Sequence, residues 1–159
     1  MISPDLVVFV HGPQVMLVGT RSKALRPTVR RVFGAIVDSP SDTITFFLPA
    51  CESELTMENL ADNGRVALLI IDAFSHCTYQ FKGAFLAARP CTDKDKAVRD
   101  VYIDKTVVHF RNWFLPVPDP FWRNFILEPS HAVSFQVEAI FDQAPGPNAG
   151  KPLAFTPGP

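Results

Sequence analysis

The sequence predicts a mainly β protein, an antiparallel sheet that closes into a small barrel with helices at its ends. Apolar and polar residues alternate over several stretches at the two-residue period of a half-buried strand. The connections between these stretches are mostly short, as in the turn "SPSD" at 39–42. Helices separate strands too rarely for a doubly wound parallel sheet, which needs a crossover between nearly every strand pair.

Residues 3–11, "SPDLVVFVH", read as a short helix, with Ser3 as cap, Pro4 at the first helical position and Gly12 as terminator, although the valines favour a strand. "QVMLVGTRS" (14–22) and "LRPTVRRVFGAIVDS" (25–39) read as a strand hairpin, with Pro27 near a strand start, where a missing N–H is tolerated. "TITFFLPA" (43–50) is a third strand, stopped by Pro49. "SELTMENLADNG" (53–64) has helical spacing, Ser53 as a cap and Gly64 as a terminator. "RVALLIID" (65–72) and "HCTYQFKGAFLAARP" (76–90) follow as strands. Residues 92–113 form a helix capped by Thr92, with Asp95–Arg99 and Lys96–Asp100 spaced as i,i+4 ion pairs on a solvated face. A proline loop runs into a short aromatic helix over 116–125, and "SHAVSFQVEAIFDQ" (130–143) is the last strand. One domain over 1–143 is expected, then a proline-rich extended tail over 144–159.

A chain of 159 residues buries roughly 70% of its unfolded surface, enough for a core without staples. A net charge of −1 makes the molecule no general attractor of nucleic acid or membrane, and no apolar run approaches spanning length. Cys51, Cys77 and Cys91 are an odd set without a CxxC pair, and no signal pattern opens the chain, which together predict reduced, buried thiols in a cytoplasmic protein. Charge is locally uneven, since Arg21, Lys23, Arg26, Arg30 and Arg31 fall in eleven residues without an acid. That run suggests an anion site.

The adjacent Arg30 and Arg31 pose a problem for a strand. One face carries Thr28, Arg30, Val32 and Gly34, and the other carries Val29, Arg31, Phe33 and Ala35. Whichever face meets the core, an arginine goes with it.

Nucleotide-loop and nucleophile-elbow motifs are absent, and His11, His76, His109 and His131 show no metal-ligand spacing. Phe110, Trp113, Phe114, Phe121, Trp122 and Phe125 form a dense aromatic group, read as core or dimer contact ahead of a ligand wall.

The ordered series "VGTRSKALRPTVRRVFG", "ITFFLP", "ENLADNGRVALLI" and "TYQFKG" resembles the pyridoxamine 5′-phosphate oxidase-like family of FMN-binding split barrels over roughly residues 15 to 90. "VEAIFDQAPGPNAG" is similar to the end of one uncharacterised branch of that family. The resemblance implies a six-stranded antiparallel split β-barrel that forms a homodimer, with two FMN sites at the interface, each built from both chains. It places Arg30, three residues after Pro27, on the FMN phosphate, with the backbone through Val32 beside the flavin ring. Arg31 would then lie opposite, snorkelling or paired at the interface. Phe47 and Leu48 would meet the flavin through backbone groups. Thr78, Gln80 and Lys82, on one face of their strand, would offer polar side chains, Thr78 first.

The sequence departs from the family at "SELTMENL", where Thr56 stands at the place of a phosphate-binding lysine and Leu55 at that of a frequent arginine. One charge-assisted hydrogen bond contributes about 1.5–3 kcal/mol, so its loss weakens binding roughly 10- to 150-fold. Arg21 and Lys23 are the candidates to compensate. The expected function is an FMN-dependent oxidoreductase of unknown substrate. The alternatives are a non-catalytic binder of flavin, deazaflavin or haem, with His109 as a haem ligand, or a barrel that has lost its cofactor.

Overall fold

The computed structural model describes residues 1–51, 53–112 and 128–155. Its elements run α1 (Pro4–Val10), β1 (Val15–Arg21), β2 (Pro27–Val32), β3 (Ala35–Asp38), β4 (Thr43–Pro49), α2 (Glu54–Asn63), β5 (Arg65–Ile71), β6 (Thr78–Pro90), α3 (Asp93–Arg111), β7 (Pro129–Asp142) and β8 (Pro152–Phe155). The expected aromatic helix over 116–125, with Trp113 and Phe114 before it, lies outside the described residues.

The strands form one antiparallel sheet in the order β2-β1-β5-β6-β7-β4-β3, and β8 pairs with β7. The two ends of that order are successive pieces of one chain. The stretch 25–39, expected as a single strand, is broken at Gly34, whose φ of +93° suits glycine. At the break Phe33 N donates to Phe47 O and Phe47 N donates to Gly34 O, both at 3.3 Å. The sheet therefore closes on itself, as a split barrel does. Counting β2 and β3 as one strand and leaving β8 aside recovers the six strands read from the sequence. Within the expected tail, residues 152–155 are extended but are held as β8 on the edge of β7.

The barrel interior follows from strand alternation. Met16 and Val18, Val66, Leu68 and Ile70, and Val133, Phe135 and Val137 point inward, where they meet Phe46, Phe81 and Ile140. Burying each such side chain contributes about 1.5–3 kcal/mol. Gly83 sits at a bulge where β6 meets β7 so closely that a Cβ would lie 1.8 Å from the Gln136 carbonyl oxygen.

Ser3 and Pro4 open α1 as read, with Ser3 Oγ accepting from Leu6 N at 3.4 Å. Gly64 ends α2 in the left-handed conformation. Ser53 does not cap α2 with its side chain; its Oγ donates to the Ala50 carbonyl instead, at 3.3 Å. Thr92 caps α3 in a reciprocal box with Asp95. The two i,i+4 pairs expected on α3 are replaced. Asp95 is buried and faces Arg89, Lys96 Nζ lies 3.8 Å from Asp93, and Arg99 Nε lies 2.7 Å from Asp100. The reason is orientation: Asp95, Arg99, Tyr102, Ile103 and Thr106 share the face that α3 turns to the barrel.

Candidate functional site

β2 keeps the alternation on which the two-arginine question rests. Thr28 and Val32 are buried while Val29 and Arg31 are exposed. Arg30 belongs to the buried side and is itself half-buried, with Nη1 donating to the Val29 carbonyl at 3.0 Å. Arg31 takes the other side, its guanidinium 5.3 Å from the centre of the Phe33 ring, a cation–π contact.

Two expected backbone contacts, Phe47 and Leu48, stand beside this strand on β4. Both side chains are fully buried. The N–H and C=O of Phe47 are engaged in closing the barrel, and the Leu48 carbonyl accepts from Ser130 Oγ at 3.3 Å.

α2 packs over β1, β2 and β5 at the barrel end. Asn59 reaches inward from it, its Nδ2 donating to Thr20 Oγ1 at 3.1 Å and to Thr28 Oγ1 at 3.3 Å. All three are buried, so this is an internal polar bridge that ties α2 to the hairpin. One turn earlier, Thr56 is 1% exposed and its Oγ1 has no hydrogen-bond partner among the described residues. The position expected to hold a phosphate-binding lysine is therefore an interior one here, while Leu55 is exposed. Nothing in the sequence marks Asn59 as a structural anchor, because a polar residue in a helix gives no sign of facing two threonines from distant strands.

Thr78, Gln80 and Lys82 lie on the outer face of β6. Thr78 Oγ1 donates to the His76 carbonyl at 2.9 Å, and Gln80 Oε1 accepts from Gln143 Nε2 at 3.3 Å. Lys82 Nζ stands 4.6 Å from the centre of the Phe141 ring. β1 and β5 intervene between β2 and β6, a separation of three strand spacings or roughly 14 Å. One chain thus divides the expected residues into a corner group (Arg30, Val32, Phe47, Leu48, Thr56) and an outer-face group (Thr78, Gln80, Lys82).

Of the two candidate compensating cations, Lys23 is engaged elsewhere. Its backbone N–H donates to Asp62 at 2.6 Å and its ammonium lies 3.2 Å from the same carboxylate. These contacts, the backbone bond foremost, hold the Asp62 carboxyl below its ordinary range. Arg21 remains on the outer face, with Nη1 donating to the Ser22 carbonyl at 3.2 Å.

Cavities lined by described residues flank the barrel. A cleft of about 500 Å³ lies between α1, β3 and α3, lined by Val10, Gly34, Ile36, Val98, Val101 and Tyr102. Lys105 at its rim donates to the His11 carbonyl at 2.9 Å. Burial and then the Lys105 charge lower the pKa of the His11 imidazole. A second cavity, of about 530 Å³, lies on the outer sheet face and includes Arg21 and Lys82. Among the described residues no group of three or more His, Cys, Asp or Glu side chains is placed to hold a metal ion, and no helix is long and apolar enough to cross a membrane. His109 Nε2 is buried and has no hydrogen-bond partner among the described residues, 3.8 Å from Asp72, and the ring packs edge-on against Phe74 at 4.7 Å. The thiols are not the buried ones expected: Cys51 is exposed, and Cys77 and Cys91 are half-buried.

No protein-family description matches the sequence, and no curated protein matches it. Solved structures do. HupZ of Group A Streptococcus has a TM-score of 0.56 at 18% identity, covering 94% of this chain and 100% of that one. An F420 reductase has a TM-score of 0.55 at 14% identity, covering 84% of this chain and 93% of that one. A pyridoxamine 5′-phosphate oxidase-related, FMN-binding protein of Nostoc punctiforme has a TM-score of 0.46 at 8% identity, covering 86% and 77%. Likeness at these identities shows the fold alone: this chain has the antiparallel split-barrel fold that it shares with the first two of these structures.

Proposed function

We propose that this protein is a homodimeric FMN-binding oxidoreductase whose two cofactor sites are each shared between chains. One observation carries the reading: Arg30 and Val32 on β2 lie three strand spacings, roughly 14 Å, from Thr78, Gln80 and Lys82 on β6, and on one chain the two sets face opposite sides of the sheet. A site completed by a second copy needs that division, with the corner group from one protomer and the outer-face group from the other. The outer face also suits a subunit contact, since Val15, Leu17, Leu69 and Ile71 project from it half-buried.

Arg30 is the residue that fits the phosphate. It is half-buried, and a guanidinium fork donates two parallel bonds to an oxyanion. Gly34 beside it carries no side chain to keep a ring from the backbone. Thr56 adds no charge and faces the interior, and Glu54 in the first turn of α2 opposes an anion. Arg30 therefore holds the phosphate without a lysine partner, which sets the affinity roughly 10- to 150-fold below that of a two-cation site. Flavin, when bound, supplies the electron transfer, and the chain supplies binding, orientation and exclusion of water.

A deazaflavin is the second reading, favoured by the likeness to the F420 reductase over most of both chains.

The test is an absorption spectrum of the purified protein, then titration with FMN and with F420 by fluorescence. Bound flavin or micromolar FMN affinity is expected. Arg30→Ala should weaken binding at least tenfold and Arg31→Ala distinctly less; equal losses would overturn the assignment of the phosphate to Arg30. F420 binding without FMN binding selects the second reading, and failure of both removes the cofactor altogether. Sedimentation at micromolar concentration should show a dimer; a stable monomer removes the shared site.

A further inference from the structure

The turn joining β1 to β2 carries an apolar residue at the position where its backbone suits one least. Leu25 N donates to the Ser22 carbonyl at 3.0 Å and Ser22 N donates to the Arg26 carbonyl at 3.1 Å, so Lys23, Ala24 and Leu25 form a three-residue hairpin loop. Such a loop ends in the left-handed region, where glycine is the favoured residue. Leu25 takes that place with a φ of +61°. Asp42 and His76, the other non-glycine residues at positive φ among the described residues, are of types that enter this region more readily.

Packing within the chain does not account for the leucine. Leu25 is 69% exposed and stands outside the core cluster. Glycine would relieve the backbone, and a polar side chain would suit the water. Strain and solvation thus both oppose leucine in the isolated chain. Strain kept at an exposed position points to a contact made outside the chain.

The charges around the tip indicate the nature of that contact. Lys23, Ala24 and Arg26 are exposed beside Leu25, and Arg21 stands at the base of the turn. No acid occurs between Arg21 and Arg31. Asp62 of α2 is the acid bonded to the turn, through Lys23. Three cations against one carboxylate leave a surplus of two positive charges, which the net charge of −1 does not report. A hairpin end is convex, so it encloses no small ligand. A leucine ringed by cations on a convex tip suits an apolar layer lying beneath anionic groups.

We infer that the β1–β2 turn docks this protein on an anionic lipid bilayer, Leu25 entering the headgroup boundary and Arg21, Lys23 and Arg26 meeting the lipid anions. The inference is independent of the flavin reading, in which Arg30 holds the phosphate and Leu25 takes no part. The probes are vesicles of phosphatidylcholine alone and of phosphatidylcholine mixed with phosphatidylserine, sedimented with the full chain. Binding to the anionic vesicles is expected, with little to phosphatidylcholine alone and a steep fall at high salt. Leu25→Ser should weaken it at least tenfold and Arg26→Gln roughly fivefold. Leu25→Gly should weaken it as much as Leu25→Ser while raising the melting temperature by roughly 2–4 °C, which separates lost docking from lost folding. No binding to either vesicle would overturn the assignment and leave the tip to an acidic protein partner. Equal binding to both vesicles, or full binding by Leu25→Gly, would overturn it as well. So would a lower melting temperature in Leu25→Gly, which would place the leucine in the chain's own packing.

Discussion

Asp95→Asn keeps the shape of a buried side chain and removes its charge. Oδ2 accepts from Arg89 Nη1 at 2.6 Å, from Thr92 N at 2.7 Å and from Thr92 Oγ1 at 2.7 Å, and Oδ1 accepts from Arg89 Nη2 at 3.0 Å. The carboxylate thus anchors the start of α3 to the end of β6, and α3 forms one wall of the 500 Å³ cleft. In the amide, one of the two atoms becomes a donor facing donors. Loss of charge-assisted bonds in a buried setting costs about 2–4 kcal/mol, Arg89 recovering part of its share because it is half in water. For a chain of this length, 3 kcal/mol lowers the melting temperature by roughly 6–12 °C.

The same interaction has a pH signature. Arg89 first, then the Thr92 donors, hold the Asp95 carboxyl far below the usual carboxylate range, against the effect of burial. A depressed native pKa gives stability that is complete above the unfolded value of about 4. It is lost as pH falls toward the native value, at about 1.4 kcal/mol per pH unit. Urea denaturation of wild type and Asp95→Asn at pH 7, 5, 4 and 3 measures this. The gap between them should be constant from pH 7 to 5 and narrow below 4. A gap as wide at pH 3 as at pH 7, or no gap at pH 7, would refute the reasoning.

Thr56→Val removes a buried hydroxyl without a partner and keeps its shape, so it should raise stability by about 1 kcal/mol in thermal or urea unfolding; a loss of that size would mean that the hydroxyl is satisfied. Gly34→Ala places a Cβ at φ +93°, 3.4 Å from Phe47 Cδ2, and should cost about 1–3 kcal/mol while lowering flavin affinity through the barrel corner; unchanged melting would show that the corner tolerates a side chain.

The amino-acid order alone determined the antiparallel barrel class, the six strand regions and the three described helices. Each rests on a local signal: two-residue alternation, Ser3–Pro4 and Thr92 at helix starts, Gly64 at a helix end. It also determined that Arg30 and Arg31 part to opposite faces, since alternation is a backbone property. Tertiary structure decided the rest. That 25–39 turns a corner at Gly34 depends on Phe47 arriving from β4. That Thr56 faces the interior, and Asp95 faces Arg89 in place of Arg99, depends on which side of each helix meets the barrel. Such contacts leave no periodic trace in the chain, because the register and helix orientation that make them are set by how the whole sheet closes around its core.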